Sequence, residues 1–192
     1  MSDQAERKVD PVLNGVEWSI KDYAGEAVRD KVFEGKTLEE ISEKNPREKA
    51  LWVKDAMERL DALVDEETRC ELMEDCGRMC AGVSKSAIDE AKERRKKYKT
   101  VDEFLEAEAS VQRIVREGDI LYQYYGPECA CGLVNKLPAG EKISVTYCRC
   151  SAGFLKAYWE QVLERPVRVE VIHSIITGAK ECKFAVHLAE AD

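Results

Sequence analysis

The chain has 192 residues, 35% of them charged and 44% hydrophobic, with a net charge of −8. That is a globular composition rather than a disordered one, and its acidic balance argues against a general nucleic-acid binder, which needs surplus Lys and Arg to displace counterions. No stretch approaches the roughly 20 apolar residues that cross a bilayer, and the polar start lacks the apolar core of a secretory signal. The expected location is therefore the cytoplasm, with no nucleic acid or membrane as partner. A homodimer is left open.

The first fifteen residues are expected to form a mobile tail. Helical spacing then runs from Val16 to Phe33 and stops at Gly35. Thr37 and Glu40 have capping-box spacing for a short helix, and Asn45-Pro46 supplies a cap and first-turn proline for the next. Asp65 caps a helix that ends near Gly82, with Leu72, Met73, Cys76, Met79, Cys80 and Val83 on its apolar stripe. A charged helix spans Ser86 to Lys97, and its basic run reads as a solvated face. A second capping box, Thr100 with Glu103, opens a helix carried to Gly118.

The texture changes at Asp119, giving expected regions of 16–118 (helical) and 119–192 (mixed). Ile120 to Tyr125 is rich in β-formers and breaks at Gly126-Pro127. Cys129 to Leu137 and Lys142 to Tyr147 read as two further strands joined at Pro138-Ala139-Gly140. Ser151 is the expected cap of an amphipathic helix carrying Phe154, Leu155, Tyr158, Trp159, Val162 and Leu163. Pro166 starts a strand with Val167, Val169, Val171, His173 and Ile175 on one face, and a last strand aligns Cys182, Phe184, Val186 and Leu188. Helices first and antiparallel strands afterwards give an α+β fold: an N-terminal helical region packed on a C-terminal antiparallel sheet with one crossing helix.

Eight cysteines in a reducing compartment call for metal or thiol chemistry rather than a disulfide framework. In extended chain, residues two apart face the same way, so Cys129/Cys131 and Cys148/Cys150 could each aim two thiolates at one point. A hairpin between them would assemble a four-sulfur site for zinc, or for an iron–sulfur cluster. Buried structural thiols and a redox disulfide are the competing readings. Cys76 and Cys80 are helical neighbours that could join as further ligands, although core packing explains them as well. Tyr122, Tyr124, Trp159 and His173, with Tyr125 beside them, are candidate walls of a ligand pocket, each with core packing as its alternative.

The residues Tyr147-Cys-Arg-Cys-Ser-Ala-Gly-Phe154, Trp159, Leu163-Glu-Arg-Pro-Val167, Ser174 to Gly178, and Glu181-Cys-Lys-Phe184 resemble the 4-vinyl-reductase-like domain. That family is similar in fold to the haem/nitric-oxide-binding and Golgi-transport ligand-binding superfamily, and the resemblance covers residues 119 to 190. The whole chain, with its Cys-Gly-Arg-x-Cys-Ala helix at residues 76 to 81, also resembles uncharacterised cysteine-rich bacterial proteins and the hydrolase family acting on 2-amino-thiazoline-4-carboxylate. These resemblances imply small-molecule binding between helices and sheet, with metal in cysteine-bearing members, but no reaction. The expectation is a metal-binding, small-molecule-binding or sensor protein. A metal- or thiol-dependent hydrolase and a thiol redox protein are the alternatives.

Overall fold

A computed structural model describes residues 9–111 and 113–188. The tail expected over residues 1–15 thus lies partly outside the described residues; from Pro11 onward the chain is helical. The elements are α1 (Pro11–Ala24), α2 (Glu26–Phe33), α3 (Leu38–Ser42), α4 (Pro46–Leu63), α5 (Glu66–Val83), α6 (Lys85–Arg95), α7 (Val101–Val111), β1 (Ile114–Glu117), β2 (Ile120–Tyr125), α8 (Cys148–Leu163), β3 (Arg168–His173) and β4 (Cys182–His187). The fold is α+β, with one four-stranded antiparallel sheet in the order β1-β2-β4-β3.

Local chemistry accounts for most boundaries. The capping boxes at Thr37/Glu40 and Asn45/Glu48 form, and Asp65 accepts from the Thr68 amide at 3.0 Å at the start of α5. The single helix expected over 16–33 is instead two. Gly25, at φ 85°, ends α1 and redirects the chain into α2. The helix expected to reach Gly118 ends at Val111. Gly118, at φ 58°, serves with Asp119 as the two-residue turn between β1 and β2, where Glu117 pairs with Ile120. A left-handed glycine closes a helix or turns a hairpin equally well, so the spacing concealed β1.

The strands expected at Cys129–Leu137 and Lys142–Tyr147 do not form. Both edges of β2 are occupied, by β1 and β4, so the chain leaving it has no free edge there. It crosses the helices as irregular backbone with 3-10 turns at Val134–Lys136 and Val145–Tyr147. The Asn135 amide clamps the Cys129 backbone, accepting from its N–H at 3.1 Å and donating to its carbonyl at 2.9 Å. Ile143 and Tyr147 are buried among the helices, and Leu133, Val134 and Leu137 pack against the same cluster. Of the alternation that suggested the second strand, Ile143 and Tyr147 serve this packing, and Val145 is exposed.

Two apolar clusters result. One gathers α1 to α5, with Val16, Ile20, Phe33, Met57, Leu72 and Cys76 at its centre. The other lies between α8 and the sheet, where Leu155, Trp159 and Val162 meet Leu121, Phe184 and Val186. Each such buried side chain contributes roughly 1.5–3 kcal/mol, which pins α8 to the sheet. The Trp159 indole donates to Gln123 Oε1 at 3.0 Å.

Helices α5 and α8 meet at the seam between these clusters, at backbone contact. A Cβ on Gly77 of α5 would stand 2.0 Å from the Cys150 carbonyl oxygen, and one on Gly153 of α8 would stand 1.8 Å from that of Glu74. Each helix thus seats its partner's backbone in a glycine notch. Arg149 and Glu74 add an ion pair across the crossing at 3.6 Å.

Candidate metal centre

The glycine notches bring three sulfurs together. Cys76 and Cys80 lie one turn apart on α5, and Cys150 is the third residue of α8, at the seat formed by Gly77. Their Sγ atoms all lie within 4.8 Å of one another. Metal–sulfur bonds of ~2.3 Å in a tetrahedron put neighbouring sulfurs ~3.8 Å apart, so a mononuclear thiophilic ion requires only a small contraction. In a 4Fe–4S cluster each cysteine binds a different iron and the sulfurs stand farther apart, which fits this triangle less well. Cys76 is fully buried, Cys80 and Cys150 are half-buried, and Gly15 of α1 lies against Cys76 Sγ.

The three thiols share their protons unequally. Hydrogen bonds from Cys150 and then from Cys76 push the Cys80 thiol far below its ordinary value. Cys150 donates to Cys76 and to Cys80 and is pushed well up, with burial adding to the effect. Cys76 accepts from Cys150, but its donation to Cys80 and its burial outweigh that and push it up overall. The apo site thus holds its first negative charge on Cys80, and the positive end of α8 beside Cys150 favours that charge.

A cavity of about 380 Å³ opens beside the site, lined by Cys80, Cys131 and Cys150 together with Tyr125, Tyr147 and Phe154. Val12, Ala130 and Leu155 extend its apolar wall. Tyr147 is buried at its base, and its hydroxyl lies 3.3 Å from Cys131 Sγ.

The four-sulfur site expected from Cys129, Cys131, Cys148 and Cys150 is not assembled. Cys148 and Cys150 belong to the first turn of α8 rather than to a strand, and residues two apart on a helix point in roughly opposite directions. Cys150 accordingly meets α5, while buried Cys148 donates to Ser174 Oγ at 3.2 Å. Burial raises the Cys148 thiol and pushes Cys129 up to about 11. Cys131 reaches the cavity, where at least one of its distances to the three sulfurs exceeds 4.8 Å. Cys70 lines a separate cavity of about 250 Å³ with Cys148 and His173, and Cys182 accepts from the Ile175 amide at 3.4 Å.

The expected pocket of Tyr122, Tyr124, Trp159 and His173 is likewise dispersed. Tyr122 and Tyr124 pair with Ala185 and Lys183 on the sheet face away from Trp159, and the Lys183 ammonium sits 3.9 Å over the Tyr122 ring. Trp159 is core. An irregularity between Val171 and His173 sets His173 opposite Lys183, out of alternation with Val171. Of the cavity residues, Tyr125 stands with Tyr122 and Tyr124 among the candidate pocket walls, whereas Val12, Tyr147 and Phe154 had no signal of their own in the sequence. Gly77 and Gly153 did carry one, a small residue within a turn of a clustered cysteine on each helix.

These features define a cysteine-rich α+β protein with a three-sulfur centre at a helix crossing. The chain belongs to the family of unknown function DUF6144, whose family model matches residues 7–191. No curated protein matches it. Among the described residues, no helix is long and apolar enough to cross a membrane.

Proposed function

We propose that this protein binds one thiophilic metal ion, zinc foremost, through Cys76, Cys80 and Cys150, and uses the adjoining cavity to bind or sense a small molecule. One observation carries the reading: three sulfurs within 4.8 Å of one another, held by two helices in backbone contact. Soft thiolates select zinc and similar ions over hard cations. Bound there, the ion would cross-link α5 to α8 and polarise whatever occupies its remaining position. The eight unpaired cysteines suit a reducing, cytoplasmic setting. The resemblance to the 4-vinyl-reductase-like domain supports a small-molecule role for the cavity.

Protein purified without air is expected to carry close to one equivalent of metal, and Cys150→Ser to lose it. Equal metal content in both proteins would end the proposal. A second reading, a metal-dependent hydrolase, is favoured by the count of three close sulfurs, because three protein ligands leave a position for water or substrate. Metal-dependent turnover of a small thioester or amide, absent in Cys150→Ser, would select it.

A further inference from the structure

The cavity holds one more sulfur than the centre uses, and its position gives it a specific task. Cys131 shares the cavity wall with Cys80 and Cys150. Its sulfur is paired with the Tyr147 hydroxyl at 3.3 Å, and that hydroxyl is close enough to Cys131, Cys150 and Cys76 to feel all three. The phenol lines the same cavity as Cys131, Cys80 and Cys150. The backbone carrying Cys131 is free of sheet pairing. It lies between β2 and the Val134–Lys136 turn, with exposed Ala130 and Gly132 on either side. Its fixed points are the Asn135 clamp on Cys129 and the Val134 amide donating to the Cys131 carbonyl at 3.1 Å.

We propose that Cys131 is a displaceable fourth ligand, which closes the site as a four-thiolate centre when the cavity is empty and gives way when a small apolar molecule enters. The inference rests on the three-cysteine reading above. Closing would move Cys131 off the Tyr147 hydroxyl: its S–H bond breaks, the proton passes to water, and its sulfur takes the ion's fourth position from the water or ligand that leaves. Opening would reverse this: the entering molecule's donor takes that position, and Cys131 regains a proton from water and its pairing with Tyr147. Four thiolates make a closed zinc site and three an open one, so Cys131 decides whether the ion is reachable. The occupant that best fits the opened site is a small, mainly apolar molecule with a soft donor. Phe154, Leu155 and Val12 would take its body and the vacated position its head.

Cobalt(II) added without air to apo protein reports the sulfur count through its sulfur-to-metal charge-transfer band. Cys131→Ser should weaken the band by about one quarter, one sulfur in four, and Tyr147→Phe, which frees Cys131, should not weaken it. Benzyl mercaptan should bind the cobalt form of Cys131→Ser at least several-fold more tightly than the cobalt form of the natural protein. An unchanged band in Cys131→Ser, or equal affinity for the thiol, overturns the proposal while leaving the three-cysteine centre in place. Undiminished cobalt binding by Cys150→Ser overturns that centre and the fourth ligand with it.

Discussion

Among the eight cysteines, reactivity follows the neighbour and not the residue type. Cys80 accepts hydrogen bonds from two thiols, so in apo protein it holds its thiolate below the ordinary thiol pKa of ~8.5. Its alkylation by iodoacetamide should stay fast as the pH falls below that value. Cys148, raised by burial, should react only well above it. Mass spectrometry after a pulse of reagent reads both, and equal pH profiles would contradict the assignment. The same shifts set the stability of apo protein. Above pH ~8.5 unfolded chains lose thiol protons that Cys148 and Cys129 retain when folded. The unfolded state then binds fewer protons, and stability falls as the pH rises toward the native values. Cys80 has the opposite sign, but its contribution is already complete above pH ~8.5 and is lost only as the pH drops through its lowered value. Denaturant midpoints for apo protein between pH 7 and 10 should therefore decline.

At the scale of elements, the crossing of α5 and α8 is the decisive contact, and its glycines make it testable. An alanine at Gly77 or Gly153 meets backbone carbonyl, which cannot rotate aside. Each substitution should cost on the order of 1–3 kcal/mol by overpacking and weaken metal binding as the helices part. Gly82, also on α5, has open space around its would-be Cβ. Gly82→Ala should stabilise by up to ~1 kcal/mol through helix propensity alone. Urea denaturation of the three variants checks the sign in each case.

This crossing also marks what the sequence could convey. Most of the apolar stripe of α5, the caps at Thr37, Asn45 and Asp65, and the strands β2 to β4 were legible because periodicity and capping are local, although Val83, placed on that stripe, is exposed and Ser151 caps nothing. Cys150 was legible as a candidate ligand, and Cys76 and Cys80 as further ones, but Cys150 was grouped with cysteines that the structure does not bring to it. Their grouping depends on whether Cys148 begins a helix or ends a strand, and α8 begins at Cys148, three residues before the cap that Ser151 suggests. Loss of the strands at 129–147 was beyond reach, because it follows from both edges of β2 being taken by distant segments.

For the whole molecule, the centre lies where the helical cluster meets the cluster on the sheet, so ligand binding there acts on the stability of both. At a free metal concentration one hundred times the dissociation constant, the native state gains ~2.7 kcal/mol. For a chain of this size that corresponds to a rise of about 5–11 °C in Tm. Calorimetry with and without a chelator should show the difference, and Cys150→Ser should abolish it. The uneven exposure of the three sulfurs has a kinetic consequence as well. Cys80 and Cys150 face the cavity, whereas Cys76 is sealed beneath α1 by Gly15. An arriving ion would meet two donors at once and the third only after the sulfur edges contract, so uptake should be biphasic, with a quick capture followed by a slower locking phase. Release would run in reverse, and a chelator waiting in the cavity would find the ion tethered at its far side.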